Sequence, residues 1–165
     1  MSPPERPQRP TGQVFLDTAS GEALHPAAGD AYAAALETAY ADPRRLHHAG
    51  RSARLVLDNA RAATAEALGV RPDEVTFTTS GTDAVHRGLL GLHRGGGRHG
   101  DTIVHSAVEH SAVLQGARWA GAPTRSLPVD NLGRLRLDEV DATRATVVAC
   151  QSANHEVGTL QPVAA

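Results

Sequence analysis

Asp101–Trp119 reads DTIVHSAVEHSAVLQGARW, and the two halves of this stretch follow different periods. Thr102–Ser106 (TIVHS) is short, apolar and β-branched, which predicts a strand. Ser111–Gly121 (SAVLQGARWAG) spaces its apolar residues as one face of a helix, with Ser111 placed to cap it. Between the halves lies the polar pair Glu109–His110. A strand that turns directly into a helix predicts one unit of a parallel α/β sheet, and the polar pair then falls at the strand's carboxyl end, where such sheets bind ligands. Two readings of His110 follow from the residues alone. It is a solvated surface histidine, or a flat, titratable ring held over a ligand.

Working outward, strand and helix patterns alternate. Pro26–Tyr40 is Ala-rich and predicts a helix with proline in its first turn. Ser52–Leu68 predicts a second helix, with Leu55, Val56, Asn59, Ala63, Ala67 and Leu68 near one stripe and Gly69 as its stop. VTFTT (75–79) predicts a strand and Ser80–Asp83 opens a helix carrying Val85, Leu89 and Leu92. GGGRHG (95–100) predicts a loop, TRSLPV a strand, NLGRLRLDEV a turn with a short helix, and ATVVACQ (145–151) the most apolar strand, with Cys150 as a small buried residue. No internal repeat or domain boundary stands out. The fold class predicted is α/β, with a parallel-rich sheet and flanking helices.

The 165 residues are 41% apolar but only 3% aromatic, so the core is built from Ala, Val and Leu. A net charge of −2 without a basic block gives no footprint of a nucleic-acid binder. No apolar run is long enough to span a bilayer. Residues 1–12 are Pro-rich and polar and lack the apolar centre of a secretory signal, which predicts a flexible lead-in. The single cysteine fits a reducing, cytoplasmic setting. All 16 basic residues are arginine; the sequence contains no lysine.

Three strand-end junctions are candidates for chemistry. At Ser80-Gly81-Thr82-Asp83, free N–H groups and the threonine hydroxyl suit a phosphate, although Ser, Thr and Asp at a helix start also serve as plain caps. The string has neither the Walker spacing nor a G-x-G-x-x-G turn. The second junction is Glu109–His110. The third is QSANHEVGTLQ (151–161), where Asn154 and His155 offer an amide and an imidazole; alone it reads as a polar loop. The nine histidines show no metal-ligand spacing such as HExxH.

In order, these segments resemble the class V aminotransferases, and the cysteine desulfurases in particular. VFLDTASGEALHP is similar to that family's opening strand and polar turn, and DPRRLHHAG to its H-x-x-G segment. TFTTSGTDAVH resembles its phosphate turn, VEHSAVL its E-H-x-x-V motif, VDNLGRLRLDEV its D-x-x-G turn and ANHEVGTLQPVAA its N-x-E-x-G-T segment. The resemblance covers 14–165. It implies the large domain of a type I, aspartate aminotransferase-like fold that binds pyridoxal 5′-phosphate (PLP), with 13–165 as the amino-terminal portion of that domain.

Carried over by position, the resemblance implies that Gly81 and Thr82 hold the cofactor phosphate, that His110 stacks on its ring and acts as acid and base, and that Asn154 donates its amide to the ring oxygen. His86 departs from the asparagine usual there, and Cys150 does not match the mobile-loop cysteine that receives sulfur. The family's ring-nitrogen aspartate, its glutamine and its PLP-linked lysine are placed after the N-x-E-x-G-T segment, and no arginine substitutes for that amine. Two functions are expected from this. One is the amino-terminal part of an enzyme that takes sulfur from L-cysteine for iron–sulfur cluster assembly, completed by another polypeptide or within a homodimer. The other is a noncatalytic chain that binds PLP or another phosphate ligand, or docks a partner.

Overall fold

A computed structural model describes residue 12, residues 14–98 and residues 100–163. The expected lead-in falls almost wholly outside them. The chain divides into two compact units, Met1–Ala63 and Thr64–Ala165.

The first unit contains α1 (Pro26–Thr38) and most of α2 (His48–Leu68), the helix that runs across the boundary. Proline at the start of α1 loses no helical hydrogen bond, and the His25 ring caps the helix by accepting the Ala27 N–H at 3.2 Å. The buried stripe of α2 differs from the predicted one. Ala53 and Ala65 are buried and Val56 and Leu57 are half-buried, whereas Leu55 and Leu68 are more than 60% exposed. The stripe is therefore turned round the helix, with small alanines rather than leucines at its most enclosed positions.

The second unit is built on three strands, β1 (Thr102–Ser106), β2 (Thr124–Leu127) and β3 (Ala145–Ala149). They form a sheet of order β2-β1-β3, parallel throughout, with β1 in the centre. Ile103 and Val104 point to opposite faces and both are fully buried, as a central parallel strand requires. Leu89 of α3 (Gly81–Gly95), Ile103 and Ala117 of α4 (Ser111–Ala120) form the core, with Val147 and Ala149 packed against it. Gly121, in the left-handed conformation at φ 65°, stops α4. β3 is an edge strand, and Val148 on it is about half exposed.

Two predicted strands are absent. Val75 is extended at φ −97° and ψ 123°, but 75–78 has no ladder partner among the described residues, and β-propensity without a neighbouring strand makes no sheet. The same holds for 14–17, which precede a turn at 18–20. Cys150 lies just beyond β3, half-buried rather than enclosed within it. Burial, with the Glu109 carboxylate as a second cause, pushes its thiol above the usual range.

Candidate functional site

The register between α3 and α4 orients the site. His86 Nε2 donates to the Ala112 carbonyl at 3.0 Å, and a Cβ on Gly116 would lie 3.1 Å from both His86 and Leu89 side chains. Contacts of 86 with 112, and of 86 and 89 with 116, run in the same direction along both helices, so the helices are parallel. Because α4 follows the carboxyl end of β1, the N-termini of both helices face that edge of the sheet, where their exposed N–H groups and dipoles favour an anion. The His86 departure from the family pattern thus has a structural role: it ties the two helix starts together.

At the start of α3, Ser80 is the cap, accepting the Asp83 N–H at 3.1 Å. Asp83 is turned back by Arg87 Nε at 2.8 Å and by the Thr79 N–H and hydroxyl, and the Arg87 hydrogen bond above all holds its carboxyl below the usual range. Among the described residues no hydrogen bond engages the Gly81 or Thr82 N–H, or the Thr82 hydroxyl. Three donors thus remain at a positive helix end whose nearby carboxylate is already neutralised.

At the start of α4, the cap is His110, one residue before the predicted Ser111. Its Nδ1 accepts the Ala112 N–H at 3.1 Å, which leaves the exchangeable proton of the neutral ring on Nε2. Serine is the commoner cap, but an imidazole nitrogen two residues before the donor does the same work. The ring is exposed and meets His155 edge-on, with centroids 4.8 Å apart at 64°.

The two strand ends are joined beneath these rings by the predicted Asn154, by Glu109 of the predicted junction, and by Gln151 and Gln161, to which sequence reasoning gave no role. Glu109 is buried; its Oε1 accepts the Gln151 N–H at 2.6 Å and its Oε2 accepts the His110 N–H at 3.3 Å. The Gln151 side-chain amide donates to the Val108 carbonyl. Asn154, also buried, donates Nδ2 to that carbonyl at 3.1 Å, while its Oδ1 accepts the N–H groups of Glu156 and Val157 at 2.9 and 3.0 Å. One Asn154 amide hydrogen is left over. Gln161 braces the far side of the loop, accepting from Leu135 N–H at 2.8 Å and donating to Gly133 O at 2.6 Å. The predicted residues His110 and Asn154 are therefore brought together about Val108, and Gly81 and Thr82 sit on the neighbouring helix end. A cavity of about 560 Å³ lined by His86, Leu90, Gln115, Arg118 and Trp119 lies along α3 and α4 and includes none of these four.

The aminotransferase class-V family profile matches residues 14–165. This chain belongs to the class V aminotransferase family. An IscS-like cysteine desulfurase of Mycobacterium tuberculosis is 36% identical over 163 residues, covering 92% of this chain and 41% of the relative. The cysteine desulfurase IscS of Dictyoglomus turgidum is 31% identical over 157 residues, covering 92% and 40%. Among solved structures, a NifS-like protein superposes with a TM-score of 0.83 at 29% identity, over 91% of this chain and 43% of that one. The class V chain thus spans about 40% of the length of the curated relatives it matches. Its parallel sheet and flanking helices are part of the PLP-dependent large-domain fold of NifS-like proteins. Among the described residues no helix is long and apolar enough to cross a membrane.

Proposed function

We propose that residues 13–165 are the amino-terminal portion of the PLP-binding large domain of a cysteine desulfurase. The observation that carries the reading is the pair of parallel helix N-termini at one sheet edge, one with three unengaged donors and the other capped by an imidazole with its Nε2 outward. These residues fit the cofactor's phosphate and ring face. Gly81 and Thr82 would hold the phosphate, His110 would lie on the pyridine ring, and the remaining Asn154 amide hydrogen would meet its ring oxygen. When bound, PLP supplies an electron sink for the substrate's α-carbon.

Within this chain, His110 is the group that moves a proton. Its Nδ1 is held in the helix cap, so exchange takes place at Nε2. Glu109 and Gln151 fix the backbone on which His110 rides. In the full reaction the Cβ–S bond of L-cysteine breaks, the sulfur passes to a thiol as a persulfide, and alanine leaves with the proton. The lysine that anchors PLP has to come from outside these 165 residues, since none is present. A complementing polypeptide or further sequence would supply it, and a homodimer is the expected assembly. The lone cysteine accords with a reducing, cytoplasmic location, and the likeness to IscS-type desulfurases supports a place in iron–sulfur cluster assembly.

The lack of lysine also favours a second reading, a noncatalytic chain that keeps only phosphate-ligand binding. Both readings require the phosphate turn. Equilibrium dialysis of the purified chain with pyridoxine 5′-phosphate, which has no aldehyde to react with amines, tests it directly. The phosphate ester is expected to bind at least tenfold more tightly than pyridoxine, and Thr82→Val to lose about tenfold, the usual weight of a hydrogen bond to a charged group. Equal binding of pyridoxine and its phosphate would remove the phosphate assignment. Adding a polypeptide that carries the lysine separates the two readings, since only the enzyme reading expects alanine from cysteine.

A further inference from the structure

We propose that His155 is a positioning residue for His110, holding its ring at one angle over the strand ends; the inference deepens the role given to His110 above and rests on that reading. His25 provides the internal comparison. It caps α1 with Nδ1 on the Ala27 N–H at 3.2 Å, with φ −57° and ψ 139°; His110 caps α4 at 3.1 Å with φ −63° and ψ 146°. The two caps are nearly the same. Their surroundings differ: the His110 N–H is held by Glu109, and among the described residues the only ring pair is His110 with His155.

A single hydrogen bond to Nδ1 leaves an imidazole free to rock, because rotation about the Cβ–Cγ bond is broad and roughly two-fold. An edge-to-face ring contact gives a second point of fixation, with a preferred angle. His155 is itself placed. It follows the buried Asn154 in sequence, its Nδ1 faces Gln151 Oε1 at 3.4 Å, and its Nε2 faces the Glu156 carboxylate at 3.4 Å. Gln151 is joined through its N–H to Glu109, and Glu109 to the His110 N–H, so the contacts close on themselves: His110, Glu109, Gln151, His155 and back. The closure spans the carboxyl ends of β1 and β3, so movement of either strand end is felt at the His110 ring. The geometry leaves at least one face of His110 uncovered by His155, which a flat ligand needs.

The test uses the full chain without cofactor, labelled at histidine Cε1, and reads the ring resonances and relaxation of His110 and His25 by NMR. In the wild-type chain His110 is expected to be displaced by the neighbouring ring current and more rigid than His25. His155→Ala should abolish the displacement and bring His110 to the mobility of His25, with His25 unchanged. His155→Phe, which restores an aromatic edge without either nitrogen, should return the rigidity. If His155→Ala leaves His110 unchanged, or if the Phe variant behaves like the Ala variant, the positioning role is wrong. Because no cofactor is present, this outcome is independent of pyridoxine 5′-phosphate binding, so failure of the positioning role and failure of the PLP assignment are distinguishable.

Discussion

Gly100→Ala is expected to lower the melting temperature of the chain by about 2–12 °C. A Cβ at Gly100 would stand 1.8 Å from the Arg144 carbonyl oxygen and 2.3 Å from its carbon, and both are backbone atoms that no rotamer change can move. The same carbonyl accepts the N–H groups of Asp101 and Thr102 at 3.1 Å, starting the β1–β3 pairing. Arg144 already sits at φ 59°, a strained position for a side-chain-bearing residue, and its guanidinium holds Asp101 at 2.6 Å. The clash therefore cannot relax without breaking the start of the sheet. Overpacking typically costs about 1–3 kcal/mol, and a domain of this size loses roughly 2–4 °C per kcal/mol. Gly88→Ala is the control: nothing lies within 4 Å of its Cβ position, it is inside α3, and the gain in helix propensity should leave stability equal or higher. Differential scanning calorimetry of the two variants reads opposite signs; a Gly100→Ala chain that melts with the wild type would contradict the clasp.

Asn154→Ala is expected to cost about 1.5–4.5 kcal/mol and to open the loop that follows β3. The substitution leaves the Glu156 and Val157 N–H groups without the Oδ1 that accepts them and removes the Nδ2 bond to Val108. Glu156 and Val157 are exposed, so water takes up the freed N–H groups, and each of the three hydrogen bonds lost costs about 0.5–1.5 kcal/mol. The loop keeps the Asn154 N–H to Thr159 O bond at 2.8 Å and the Ala153–Leu160 bridge, so the loss should be local as well as global. Hydrogen exchange at Glu156 and Val157 should quicken at least tenfold more than at Ile103 or Val104 in the sheet centre. Equal acceleration everywhere would show that Asn154 contributes only to global stability.

What was legible in the sequence was local. Thr102–Ser106 and Ser111–Ala120 declare themselves by period, and the resemblance to the class V family rests on short strings such as VEHSAVL, each contiguous in the chain. Long-range pairing was not legible. Glu109 and Gln151 are 42 residues apart, and no string shows that a carboxylate in one will accept the other's N–H. Val75–Thr78 failed for the complementary reason: its β-branched composition is a local signal, whereas a strand is a relation to a neighbour. The cap was misplaced by one residue because Ser111 has the commoner capping side chain, whereas the His110 ring reaches the Ala112 N–H first. In α2 the largest apolar residues suggested the buried face, but the enclosed positions went to Ala53 and Ala65.

The central claim is that this chain carries the phosphate and ring-face contacts of a PLP site without its covalent anchor. The most direct measurement is borohydride reduction of the purified chain with PLP, followed by mass analysis of its peptides. With 16 arginines and no lysine, no internal side chain offers the primary amine that PLP needs, and a guanidinium does not replace it. The account predicts no reduced adduct on any internal residue, together with retained binding of pyridoxine 5′-phosphate; a stable adduct within the chain would contradict it.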